Sequence, residues 1–246
     1  MGVYSRRGRG GRNPFTGGRA VVVPRPQMVM NMRIGNMVGF CVGEPWNARA
    51  INDRIGFTAA TSQSIWPDHP EKILGTRSAW VEQNPNTARA LVCAVMEAAR
   101  WIDASPDNRR ETARILSRRA WLNTKEQYLT GRMLGEYDNG AGQRWQDAHA
   151  IRFFNEGQVS YPWLSDGMWF LTQFRRWGLL KTAPDYTAIA SRINRIEVWK
   201  EAATALGGIS IPNNSLRTST LMDGTRWTGE SPEHYATGFA IQRTGV

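Results

Sequence analysis

The chain has 246 residues, 41% of them hydrophobic and eleven of them tryptophan. That is enough apolar material to bury one large core or two lobes. No apolar run approaches the roughly 20 residues needed to cross a bilayer. The start, MGVYSRRGRGGRNPFTGG, lacks the apolar centre of a secretory signal, so as written the chain is expected in the cytoplasm. The formal net charge is +10, and half of it is carried by Arg6, Arg7, Arg9, Arg12 and Arg19. Residues 1–19 therefore read as a disordered Arg/Gly tail that cannot bury enough apolar area to fold. Such tails can bind nucleic acid, but the segment is expected to be a start foreign to the fold, with no direct nucleic-acid partner.

Ala20-Val21-Val22-Val23 is a β-branched run before Pro24 and reads as a buried strand. Residues 27–33 have helical spacing, with Met28, Val29 and Met32 on one side, and stop at Gly35. The run 37–42 has strand length and ends at Gly43. Pro45 then suits the first turn of a helix over 45–53, because proline has no N–H to lose there. A further strand is expected at 57–61. Alternation of this kind argues for a parallel α/β sheet, and ligands bind such sheets at strand–glycine–helix junctions. An unoccupied N–H at the helix start would suit an anion.

Asn84-Pro85 opens a long helix with an apolar stripe of Ala90, Leu91, Cys93, Ala94, Val95, Ala98 and Ile102. Ser105 caps the next helix, with Pro106 at its first position. This helix is expected to run to about 119, with Ala113, Leu116 and Ala120 inward and Arg109, Arg110, Arg114 and Arg118 outward. Asp107 and Glu111 interleave with the arginines, which marks a solvated face rather than a nucleic-acid surface. A helix to about 134, a polar loop at 135–142, and helices over 168–177, 185–194 and 197–206 follow. The last 38 residues carry few periodic signals beyond a short helix starting at Ser231-Pro232. Cys41 and Cys93 lie in apolar segments and read as two buried thiols acting as small hydrophobes.

Enzyme signatures are absent. There is no G-x-S-x-G elbow, H-E-x-x-H pair or Walker A loop. His69, His149 and His234 share no metal-ligand spacing, and Glu44, Asp68 and Glu71 give no support for an acid–base pair. No catalytic residue, cofactor or metal is expected.

FCVGEPWNARAIN, WPDHPEKILG and SYPWLSDGMWFLTQFRRWG resemble the nitrate- and bicarbonate-binding receptors of ABC importers. The likeness runs from about residue 21 to near the C-terminus. It implies a partial type II periplasmic-binding-protein fold: a parallel sheet flanked by helices, with a helix-rich C-terminal region and without the first lobe. Residues 20–108 would be the remainder of the second lobe, and 109–246 a segment that packs on the first. In the nitrate receptors the glycine of GEPWN lends backbone to the oxyanion and the lysine of HPEK lends charge. Carried over, these are Gly43 and Lys72. A lysine ammonium is a compact charge with three donors, suited to a small planar anion. Bicarbonate-binding relatives have a glutamate and a calcium ion there, so Lys72 favours nitrate or nitrite.

The family's histidine, glutamine and tryptophan that complete the pocket lie before the stretch that matches, so binding by this chain is expected to be impaired. A misplaced start or a frameshift would produce such a beginning. Two functions remain open on the resemblance. One is the nitrate/nitrite-binding component of an ABC importer, periplasmic or membrane-associated, with permease and ATPase partners. The other is a cytoplasmic nitrate/nitrite sensor controlling an RNA-binding antiterminator.

Overall fold

The structure is a computed structural model and describes residues 21–239; the expected tail at 1–19 lies outside them. Helix α1, Arg25–Arg33, begins on prolines and buries Val29, as its spacing predicts. Helix α2, Trp46–Asn52, follows Pro45, which sits one position before the helix, and the Glu44–Pro45 peptide is cis. Helix α3, Ser62–Ile65, is one turn capped by the Thr61 hydroxyl, which accepts from the Ser64 N–H at 3.2 Å. Helix α4, Ser78–Gln83, leads through Asn84 into helix α5, Pro85–Asp103. Helix α6, Pro106–Ser117, starts as predicted: the Ser105 hydroxyl accepts from the Asn108 N–H at 3.1 Å. Helix α7, Gln127–Leu134, is closed by Gly135, whose φ of +80° is the left-handed conformation glycine accepts most readily.

Strands β1, Glu136–Asp138, and β2, Arg144–Gln146, then form an antiparallel hairpin where a polar loop is expected. Helices α8, Leu164–Arg176, α9, Tyr186–Asn194, and α10, Ile196–Leu206, match the expected positions within a few residues. A second hairpin, β3 Ser219–Thr220 with β4 Arg226–Trp227, precedes helix α11, Pro232–Thr237.

The expected parallel sheet is not formed. Among the described residues the sheets are two antiparallel pairs, and 21–23, 37–42 and 57–61 are irregular. A strand requires a neighbour that takes its amides and carbonyls, and among the described residues no strand pairs with these runs. Val22 and Val38 are accordingly solvent-exposed.

Contact divides the chain into two compact units, each made of two separate stretches. The first contains the chain up to Ala59 together with Ser105–Ile151, and the second Ala60–Ala104 together with the chain from Arg152. In the first unit α2 packs on α7, and α6 on α7, around Trp46, Ala48, Ala113, Leu129 and Met133. Arg109, expected outward, turns inward and donates to the carbonyls of Met133 (2.8 Å) and Ile151 (2.9 Å). Two backbone acceptors in reach outweigh a solvated guanidinium here, because carbonyls at chain reversals otherwise lack donors. Ala120, expected inward, is exposed because the helix ends at Ser117.

In the second unit α5 lies along α10 and α8 along α9. One core cluster is Met96, Tyr161, Trp199, Ala202 and Ala203; the other is Met168, Tyr186, Ala190 and Trp227. The buried face of α5 is Ala88, Met96 and Ala99, with Val92 and Cys93 partly buried, whereas Leu91, Ala94, Val95 and Ala98 of the expected stripe are exposed. The helix is apolar on two adjacent faces, and periodicity cannot choose between them. Cys93 is half-buried, but Cys41 is exposed, contrary to expectation, because the segment around it is not a strand in a core.

Candidate functional site

Gly43 lies in the first unit, exposed, between irregular chain and the start of α2. The carbonyl before it and the side chain after it are each held by hydrogen bonds. The Asn47 amide donates to the Val42 carbonyl at 2.6 Å. The Glu44 carboxylate accepts from the Ala48 N–H and from the Arg132 Nε, each at 2.9 Å. One N–H at the start of α2, that of Ala48, is thus taken by the chain's own carboxylate. Pro45 and Trp46 are buried beneath it. The Gly43 N–H itself makes no hydrogen bond among the described residues.

Arg132 is the least expected member of this arrangement. Its guanidinium lies 3.5 Å from the Tyr137 ring centre, and its Nη2 donates to the Asp138 carbonyl at 3.3 Å. Only 13% of the side chain is exposed, against 31% for Glu44. Stacking on a tyrosine face and a charge-assisted bond together fix the guanidinium plane. Arg132 stands 88 residues from Glu44 along the chain, so no local motif could have paired them. The same unit has a cleft of about 520 Å³ lined by Ile51, Arg54, Asp138, Gly140 and Arg144; Gly43 does not line it.

Lys72 lies in the second unit. Its side chain is 73% exposed and bonded to the adjacent Glu71. A pair of exposed neighbours contributes roughly 0–1 kcal/mol, so its ammonium can change partners at little cost. The segment before it is anchored. Trp66 packs against Trp169 with ring centres 4.4 Å apart and lies 6.3 Å from Phe170. His69 faces the Pro70 carbonyl through Nδ1 at 2.8 Å and the Ser62 hydroxyl through Nε2 at 2.6 Å. A carbonyl only accepts, so Nδ1 carries the proton; the histidine is a structural peg rather than a ligand. Among the described residues no group of three His, Cys, Asp or Glu side chains could hold a metal ion. None of the described helices is long and apolar enough to cross a membrane.

Comparison with known proteins extends these observations. The NMT1-like family matches residues 9–117. The chain is 39% identical over 238 residues to the nitrate/nitrite binding protein NrtA of Nostoc sp., covering 95% of this chain and 54% of that protein. It is 36% identical over 245 residues to the bicarbonate-binding protein CmpA of Synechococcus elongatus, covering 95% of this chain and 54% of that one. It is 37% identical to the nitrate import ATP-binding protein NrtC of Synechocystis, of which it spans 33%. The crystal structure of the periplasmic nitrate-binding protein NrtA from Synechocystis superposes with a TM-score of 0.83 at 38% identity, covering 90% of this chain and 58% of that one. The resemblance read from GEPWN and HPEK is borne out, and the fold is that of part of a nitrate-binding protein. The chain spans about half the length of the curated relatives it matches.

Proposed function

We propose that this chain is part of the nitrate- or nitrite-binding component of an ABC-type import system, acting as a binding protein and not as an enzyme. The likeness to nitrate/nitrite binding proteins along nearly the whole chain carries this reading. Permease and ATPase subunits would be its partners, and the periplasm or the membrane surface its place. Residues 20–108 would belong to the second lobe of the receptor and 109–246 to the segment that returns to the first.

Gly43 would offer its backbone N–H to the anion and Lys72 its charge. An exposed glycine whose N–H is unbonded among the described residues, and an exposed lysine bonded to the adjacent Glu71, are each suited to the part. Nitrate is preferred over bicarbonate because the bicarbonate-binding pattern has glutamate at the position of Lys72.

Titration of the 246-residue chain with nitrate, nitrite and bicarbonate, followed by amide NMR at Gly43 and Lys72, tests the reading. At anion concentrations high enough to fill an impaired site, nitrate and nitrite should move both signals and bicarbonate neither. Lys72→Glu puts a repulsive charge beside the anion and should abolish the response. An undiminished nitrate response in that variant would remove Lys72 from the site.

A further inference from the structure

We propose that Arg132 is a positioning residue for anion binding at Gly43, acting by neutralising the Glu44 carboxylate that immediately follows the glycine. The inference rests on the nitrate reading and adds to it a residue that no motif contains.

Glu44 has two duties that conflict. Its carboxylate caps α2 through the Ala48 N–H at 2.9 Å, which fixes the chain after Gly43. The same carboxylate places a negative charge one residue from the amide proposed to meet an anion, and like charges at close quarters oppose binding. Arg132 resolves the conflict, because its Nε meets the other carboxylate oxygen at 2.9 Å and supplies the compensating charge. It is held there from behind by the Tyr137 ring and the Asp138 carbonyl. Mostly buried, it is screened by solvent far less than a surface arginine would be. Arg49, the nearest cation in sequence, is paired with Asp53 instead. Glu44 is thereby kept as a cap without acting as an electrostatic gate against the ligand.

The test separates charge from mere architecture. An exposed amide exchanges its proton by hydroxide attack, and a nearby negative charge repels hydroxide and slows the exchange. Exchange of the Gly43 N–H is measured by NMR at low ionic strength, without any anion, in the wild-type chain, Arg132→Gln, Arg132→Lys and the double variant Glu44→Gln with Arg132→Gln. The uncompensated carboxylate of Arg132→Gln should slow Gly43 exchange about threefold or more. Arg132→Lys, which keeps the charge, should behave like the wild type. The double variant, which has no charge to compensate, should return to the wild-type rate.

A purely structural role predicts the opposite sign: loosening speeds exchange in Arg132→Gln, and the double variant stays fast. That result, or an unchanged rate, overturns the proposal. In the companion nitrate titration Arg132→Gln should bind about tenfold more weakly and the double variant should recover. A wild-type chain whose Gly43 signal ignores nitrate overturns the nitrate reading instead. The exchange arm contains no nitrate, so the two failures are told apart.

Discussion

Arg217 holds Asp166 by two parallel hydrogen bonds of 2.9 and 2.7 Å, a fork-to-fork pair between an irregular segment and the first turn of α8. The Arg217 N–H also meets the Ser165 hydroxyl at 3.0 Å, and the Leu164 N–H meets the Ser215 carbonyl at 2.9 Å. A stretch without regular structure is thereby fastened to a helix. Burial pushes the Asp166 carboxyl above the usual range, and the guanidinium draws it back down.

Arg217→Met should therefore be strongly destabilising, because it leaves a buried carboxylate uncompensated. Removal of one partner of a buried pair costs roughly 3–5 kcal/mol. Arg217 is 23% exposed, which places the loss at the lower end. Urea unfolding measures it. Replacing both residues, Asp166→Leu with Arg217→Met, should recover most of the loss; a double variant as weak as the single one would show that the hydrogen bonds, and not the charge balance, hold the segment.

Trp66 opens the segment that leads to Lys72 and is 6% exposed, packed on Trp169. Its indole N–H is buried and has no hydrogen-bond partner among the described residues. Trp66→Ala should cost about 3–5 kcal/mol, as expected for emptying a buried aromatic site. Trp66→Phe should cost far less, since it removes an unpaired polar group along with part of the ring. Equal losses in the two variants by thermal unfolding would mean that the N–H has a partner in solution.

Ser105→Ala should cost about 1 kcal/mol, the usual worth of a helix N-cap, because the hydroxyl takes an otherwise unpaired N–H at the start of α6. A loss below about 0.3 kcal/mol in urea unfolding would indicate that solvent serves that amide equally well.

This cap shows what was legible in the sequence. Ser105-Pro106 is a complete local instruction: the Ser105 hydroxyl meets an amide three residues on, at 3.1 Å. Prediction succeeds there because nothing distant is needed. The run at 37–42 failed for the opposite reason. Its apolar composition states that it could be a strand, but a strand is a relation between segments, and the partner is not in the run. The α5 stripe failed because Leu91 and Val95 are as apolar as Val92 and Met96, so only the position of α10 decides which pair is inside. Gly43 and Lys72 are candidates named by motifs alone, whereas the contact of Arg132 with Glu44 is visible only in the fold.

The final prediction concerns the hairpin that supports Arg132. Asp138 ends β1, and its carboxylate accepts from the Gly140 N–H at 2.7 Å and from the Arg144 Nε at 2.7 Å. The Gly140 N–H first, and then Arg144, hold the carboxyl below its usual range. A depressed folded-state value means that the ionised form stabilises the turn. The contribution is present above the ordinary carboxylate value near 3.9 and is lost as the pH falls through the lower, folded one. Acidification should therefore loosen the 138–144 turn and, with it, the stacking of Tyr137 on Trp145, whose ring centres lie 4.6 Å apart. The Gly140 amide proton, followed by NMR, should titrate with a midpoint below the ordinary aspartate value. Asp138→Asn keeps an acceptor but cannot ionise, so its Gly140 signal should stay flat over the same range. A wild-type midpoint at or above the ordinary value would mean that the turn does not depend on this charge, and that Tyr137 is held behind Arg132 by the strand pairing alone.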